Sequence, residues 1–316
     1  MSNPLAYLPL ALAGANGALN GLSVRRLVSA GVALLQRSAP LVRSLSGHRS
    51  GILLPPSPAL LVALAASEGR AAALLDPDAS TDELAIALRR EDAAAVFTTI
   101  ALANRLPSGL PVLLLDEAPE RATWLCDGDR RTIDLAWHGG LHLTGEADEP
   151  GADEAVLVAS GDDRQRDALG VPITHRRVMA SAVATGVRER LGERDHTLTI
   201  AASPTLFAVV AGVVAPLMAG GRVTTAERVE LDGVWAIEQL ETAGVSGIVA
   251  PAAAYGVLLD ALHARGRALD APVLQRCLAG STGGELDDTL ARRWYDATGV
   301  RLRVGDVVGS DGAFGA

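Results

Sequence analysis

The sequence predicts an α/β protein built as two doubly wound, mainly parallel-sheet lobes, and three observations carry that expectation. At 316 residues the chain exceeds the usual domain size of about 100 to 200 residues, so two packed lobes fit better than one. Hydrophobic residues make up 49% of the chain and aromatic residues only 3%, so the core must be assembled from Ala, Val and Leu, as in parallel sheets covered by helices. Short β-type runs alternate with helical runs along most of the chain, which implies parallel pairing through right-handed crossovers.

Taken in order, the apolar stretch from Pro4 to Leu19 has no basic n-region and is interrupted by Pro4, Pro9 and several glycines. It falls short of the roughly 20 residues needed to span a bilayer, so no transmembrane segment is expected. Helical spacing follows from Val24 to Leu35, then a short buried strand over Ser50 to Pro55. Pro58 to Gly69 is Ala/Leu-rich with Pro at its first turn, a helix, and Ala71 to Leu75 is a second buried strand. Ser80-Thr81-Asp82-Glu83 offers an N-cap with acidic first-turn residues for a helix to Arg90, and Ala94 to Thr98 and Val112 to Leu115 are further strands.

Between Asp127 and Asp153 the chain turns polar and rich in Gly, Asp and Glu, with Trp137 as its one aromatic anchor. The expected division falls there, with a first lobe over 1–140 and a second over 150–316. The second half predicts strands at Ala155–Ala159, Thr197–Ala201, Arg222–Thr225, Gly247–Val249, Gln275–Ala279 and Val300–Val304. Helices are predicted at Thr174–Leu191, Leu206–Met218, Gly233–Ala243, Ala252–Arg265 and Leu286–Thr298.

Composition excludes several function classes. A net charge of -9 without a basic run leaves no positive surface for a nucleic-acid backbone. Cys126 and Cys277 are too few for a disulfide framework or a metal cluster; they point to a reducing compartment, with the cytoplasm as the expected location, and both are expected to be inert core thiols. Every cation is Arg or His, and the sequence contains no Lys.

Several strings, in order and spread over nearly the whole chain, carry a family likeness. They are Ile52 to Leu84, Thr205-Leu206-Phe207 through Gly221-Arg222-Val223, Gly247 to Pro251 with Tyr255 and Leu258-Leu259, and Leu278 to Arg293. Together they resemble the N-terminal core of the AMP-dependent synthetase and ligase superfamily, which includes acyl-CoA synthetases and peptide-synthetase adenylation domains. The resemblance implies a reaction in which a carboxylate attacks the α-phosphate of ATP, giving acyl-AMP before transfer to a thiol. Such chemistry needs hydrogen-bond donors around the phosphates, Mg²⁺ and positive charge.

The family's phosphate loop, a Ser/Thr/Gly-rich turn ending in Pro-Lys-Gly, corresponds here to Ala159 through Gly170, followed by a well-matched Thr174-His175. Ser160, Gly161 and Gly170 stand where the motif has them. Asp162 and Asp163 replace its threonines, two residues are inserted, and Leu169 takes the lysine position. Two carboxylates facing a polyphosphate cost on the order of 1 to 4 kcal/mol per close pair at surface-like dielectric, so ATP is disfavoured. Arg164 and Arg166 either contact a phosphate or, the more ordinary outcome, balance the neighbouring aspartates in solvent. His175 is the one catalytic candidate, against the ordinary alternative of a histidine that begins a helix.

The second signature, Tyr-Gly-x-Thr-Glu, corresponds to Val308 through Gly312: Gly309 keeps the glycine, Val308 replaces the aromatic, and Asp311 falls one residue early for a metal carboxylate. A solvated loop aspartate is its ordinary alternative. Gly283 and Gly284 in Thr282-Gly283-Gly284-Glu285 match the adenine loop, or form a plain strand-to-helix turn. The family's ribose-binding Asp, hinge and C-terminal domain with its lysine are expected to lie beyond the stretch that ends at Ala316.

Three functions remain open from the sequence. The first is a catalytically degenerate member kept as a binding or regulatory module, with an acyl carrier protein, a related ligase or a small acyl compound as partner. The second is a ligase using ATP and Mg²⁺, completed by a domain from another chain. The third is an unrelated α/β small-molecule binder.

Overall fold

The computed structural model describes residues 15–38, 49–67, 72–136, 155–159, 172–201, 204–226, 232–280 and 286–305, with the backbone alone at 49, 155–159 and 172–177. A hairpin opens the described chain, pairing β1 (Ala18–Leu19) with β2 (Leu22–Ser23) around Asn20 and Gly21, both at positive φ. Helix α1 (Val24–Ser38), β3 (Arg49–Ile52), α2 (Pro58–Ala66), β4 (Ala72–Leu74) and α3 (Thr81–Arg90) follow. Next come β5 (Ala93–Thr98), the single turn α4 (Ile100–Ala103), β6 (Val112–Leu114), and a second hairpin of β7 (Arg121–Cys126) and β8 (Asp129–Asp134).

Strands β9 (Ala155–Ala159) and β10 (Pro172–Thr174) lead into α5 (His175–Arg188), then β11 (His196–Thr199). A three-part helix comes next: α6 (Leu206–Val209), a π-helical turn (Val210–Val214) and α7 (Ala215–Met218). The described chain closes with β12 (Arg222–Thr225), α8 (Gly233–Thr242), β13 (Gly247–Pro251), α9 (Ala252–Arg265), β14 (Arg276–Gly280), α10 (Asp288–Thr298) and β15 (Leu302–Gly305).

Local chemistry explains many of the boundaries. Ser80 forms a complete capping box with Glu83, each side chain bonding the other's backbone N–H, so α3 starts where its orphan donors are satisfied. Ser57 caps α2 with Pro58 at its first position. Gly266 and Gly299, at φ 64° and 73°, end α9 and α10 in the left-handed conformation that needs no Cβ.

The strands form two sheets, one of eight strands in the order β10-β9-β4-β3-β5-β6-β7-β8 and one of seven in the order β15-β14-β13-β11-β12-β1-β2. Central pairings are parallel and antiparallel pairs sit at the margins. This is the two-lobed, mainly parallel α/β class that the sequence predicts. Sheet membership, however, interleaves along the chain: β9 and β10 extend the sheet of the first half, while β1 and β2 close that of the second.

The largest core cluster joins the two sheets. Apolar side chains from α1 and α2 meet Ile52, Leu74 and Phe97 on one side, and Val209, Val213, Leu217, Val223 and Leu19 on the other. A second cluster packs α8, α9 and α10 on the outer face of the seven-stranded sheet, and a third packs α3 on the outer face of the other. In the second cluster Tyr255 and Trp294 meet edge to face at 4.9 Å and 83°, a geometry worth about 0.5 to 1.5 kcal/mol beyond area burial. Among the described residues no helix is long and apolar enough to cross a membrane.

The structure departs from the sequence expectation at three places. The stretch from Leu206 to Met218 is not one regular α-helix, because the π turn inserts where Gly212 approaches β11 closely enough for its carbonyl to accept from Thr199 Oγ1 at 2.6 Å. The β1–β2 and β7–β8 hairpins and strand β10 stand outside the expected elements; β8 lies within the stretch assigned to a polar boundary, and β10 ends at Thr174, where the helix was expected to begin. Of the two thiols, Cys277 is buried and pushed up to about 12 by that burial, but Cys126 is partly exposed at a strand end beside Asp127.

Candidate functional site

In open α/β sheets the ligand crevice lies outside the carboxyl ends of the parallel strands, where loops leave the sheet. In the seven-stranded sheet three such ends fall into one row, since Pro251 pairs in register with Gly280 and Gly280 with Gly305. Two adjacent strands therefore end in residues without side chains.

Phe207 occupies the space this leaves. Thr205 Oγ1 accepts from the Ala208 amide at 3.2 Å and starts α6, which sets Phe207 facing Ala211, Val249 and Leu278. A Cβ added at Gly280 would stand 2.6 Å from Phe207 Cδ1, and one at Gly305 would stand 2.7 Å from Cζ. Five of the six ring carbons come within 3.3 Å of one or other of these positions, so the ring lies face down across both strand ends. It remains half-buried.

The amino ends of the same strands carry the charge. Asp195, just before β11, accepts from Arg276 of β14, from Ser246 Oγ at 2.8 Å and, through its other oxygen, from the Gly192 amide at 2.8 Å. Burial alone would raise this carboxyl; the hydrogen bonds from Arg276, Ser246 and Gly192 outweigh it and hold the group below the usual carboxylate range. His196 is buried beside them, its Nδ1 2.9 Å from the Ala243 carbonyl and its Nε2 2.8 Å from Thr224 Oγ1. Burial pushes its pKa down against the Ala243 bond, and Arg222 adds to the depression.

Burial likewise lifts the Tyr255 hydroxyl well above its ordinary value; it donates to the carbonyls of Ile248 and Leu278 at 3.2 and 2.9 Å and so braces the sheet. These groups are bonded into the fold and poorly suited to proton transfer. An open cleft of about 640 Å³ between α1 and the β7–β8 hairpin is lined by Arg26, Arg121 and Asp134, among others. Its charges are largely satisfied within the chain, Arg26 by Glu120, Arg121 by Glu117 and Asp134 by Arg37.

Of the residues singled out from the sequence, Thr174 ends β10 and His175 begins α5, so the strand, hairpin and helix frame around the loop is present. Strand β10 pairs antiparallel with β9, which brings Pro172 opposite Val158 and holds the two ends of that loop together. Helix α5 then runs 14 residues, about 21 Å at 1.5 Å each. Just past it Glu189, with only 3% of its side chain exposed, pairs with Arg303 of β15.

Ser160, Gly161, Arg164, Arg166, Gly170, Gly283, Gly284, Gly309 and Asp311 lie outside the described residues, as do Asp162, Asp163, Leu169 and Val308. Among the described residues no group of His, Cys, Asp and Glu could hold a metal ion. Phe207 and Gly280 fall within strings that carry the family likeness and Gly305 does not; the sequence signal for the three is a glycine directly after each of two successive predicted strands, Gln275–Ala279 and Val300–Val304.

No protein-family model matches the sequence, and no curated protein matches it at a significant level. Solved structures do. MatB from Rhodopseudomonas palustris, bound to ATP, superposes with a TM-score of 0.68 at 15% identity, covering 97% of this chain and 63% of that one. Its apo form covers 95% and 58% at a TM-score of 0.64. The anthranilate CoA ligase AuaEII in complex with anthranoyl-AMP gives 0.69 at 14% identity, covering 96% and 60%. The N-terminal subdomain of Klebsiella oxytoca NpsA, with 3-hydroxybenzoyl-AMSN, gives 0.66 at 17%, covering 95% and 72%. The chain thus has the fold of the N-terminal core of AMP-dependent acyl-CoA and adenylation enzymes, and spans about three fifths of MatB and of AuaEII.

Proposed function

We propose that this protein keeps the crevice of the adenylate-forming core as a binding module for a small acyl or nucleoside-monophosphate ligand, and that the phosphate chemistry of adenylation has been lost from it. One observation carries the reading. At the hairpin loop between β9 and β10, where relatives hold phosphate, the chain has Asp162 and Asp163 for hydroxyls and Leu169 for an ammonium, and no Lys elsewhere can substitute.

The rim formed by Pro251, Gly280, Gly305 and Phe207 points the same way. It offers backbone and an aromatic face, which suit a flat organic group, and no cation, which a magnesium triphosphate requires. Repulsion from the loop acids scales with ligand charge, so a monophosphate or a carboxylate suffers less than ATP. A carrier protein or a related ligase acting in the cytoplasm is the partner in this reading.

The comparison with longer structures favours a second reading, an ATP-dependent carboxylate ligase completed by a further domain, because MatB and the CoA ligase AuaEII extend well past the matched region. Calorimetric titration with Mg-ATP and with AMP, together with carboxylate-dependent pyrophosphate exchange, separates the two. A binding module shows no exchange and no submillimolar Mg-ATP binding. Exchange above background, alone or with an added partner chain, would replace the first reading with the second.

A further inference from the structure

At the aromatic position of the second signature this sequence has Val308. We infer that Phe207 provides the stacking surface of the crevice, a platform for a planar π ring, either the purine of a nucleotide or the ring of an aryl carboxylate. The inference rests on the proposed binding function and adds to it the class of group bound.

The geometry is that of a platform. One face of the ring is pressed onto the glycine ends of β14 and β15, with five ring carbons at close approach, so the ring is held from below. Gly280 and Gly305 are what make this possible, because any side chain at either position would occupy the volume of the ring. From the side, Ala211, Val249 and Leu278 pack against it. The capped start of α6 at Thr205 fixes the backbone that carries it. Phe207 is nonetheless half-buried, so part of its surface remains open at the carboxyl edge of the sheet, where ligands of this architecture sit. An aromatic face of this kind stacks any flat ring and is indifferent to its hydrogen-bonding pattern.

The test pairs each planar ligand with a counterpart that lacks the ring. AMP is compared with ribose 5-phosphate, and benzoate with cyclohexanecarboxylate, by calorimetry on the full chain. The AMP pair and the benzoate pair report separately whether the ring is a purine or an aryl group. One planar ligand is expected to bind at least tenfold more tightly than its counterpart. Phe207→Leu, which keeps bulk and apolarity but removes the π face, should weaken that ligand about tenfold and abolish the preference, while Phe207→Tyr restores it.

Circular dichroism and thermal melting establish that each variant is folded. Equal binding of a planar ligand by the wild type and the Leu variant overturns the platform and leaves the binding function standing. Tighter binding by the Leu variant marks the ring as a plug and also overturns it. Binding of none of the four compounds to the wild type overturns the platform and the proposed function together.

Discussion

The two ends of the seven-stranded sheet are built on opposite principles. At the amino ends, Asp195, Ser246, Arg276 and His196 form a buried polar network in which each group named has a partner. At the carboxyl ends, Pro251, Gly280 and Gly305 contribute backbone, and a single half-buried ring lies over them. One end joins the strands through charge and hydrogen bonds; the other ends two strands in glycine, which leaves room for the Phe207 ring. In parallel sheets with function at the carboxyl face, the opposite face is where residues serve stability.

The sharpest way to break this contrast is at the ionic end. Arg276→Met leaves Asp195 without its cation; the pair exposes only 11% and 17% of its side chains, so a loss of about 3 to 5 kcal/mol is expected in urea denaturation. Ligand affinity of the remaining folded protein should not change, and a large affinity loss would mean that the two ends are coupled. Gly305→Ala acts at the other end. Its methyl group collides with the Phe207 ring, so a smaller cost of about 1 to 3 kcal/mol is expected, together with displacement of the ring, visible as loss of the planar-ligand preference.

Acid should attack the amino end first. Because burial depresses the His196 pKa below the unfolded value near 6.5, the unfolded state takes up the proton more readily. Stability is therefore complete above about pH 6.5 and falls as pH drops toward the depressed folded pKa. Asp195, also depressed, extends the loss at still lower pH. His196→Asn should flatten the first phase between about pH 6.5 and 5 in thermal melts, and an unchanged profile would show that His196 does not drive it. The smallest effect is expected from Arg267→Ala, which removes the exposed partner of Glu241 while Arg265 remains: under about 0.5 kcal/mol, the scale against which the others are read.

Much of this fold could be read from the sequence because the patterns were local. The strand Arg222–Thr225 and the helix Ala252–Arg265 follow from apolar periodicity with the observed limits, and the cap at Ser80 follows from Ser-Thr-Asp-Glu. The hairpins were missed although each carries a strong turn signal, Asn20-Gly21 and Asp127-Gly128 at positive φ. An apolar run at the first and a charge-rich stretch at the second outweighed them. The π turn follows from the contact of Gly212 with Thr199, thirteen residues away, which periodicity does not encode. The same holds for the seat of Phe207, which depends on the register that sets Gly280 beside Gly305, a relation between strands. The helix that begins at His175 was legible within one residue from its local pattern, but strand β10 before it was not, since three residues carry too little periodicity.

The interleaved sheets bear on how the chain acquires its shape. Asn20, in the first hairpin, bonds Thr225 across 205 residues, and β1 has no sheet to join until β12 exists. At about 5 to 20 residues per second a ribosome takes roughly 10 to 40 seconds to cover that interval. The leading strands must wait for most of the polypeptide to emerge, while β3 to β10, contiguous in the chain, can assemble the eight-stranded sheet in the meantime.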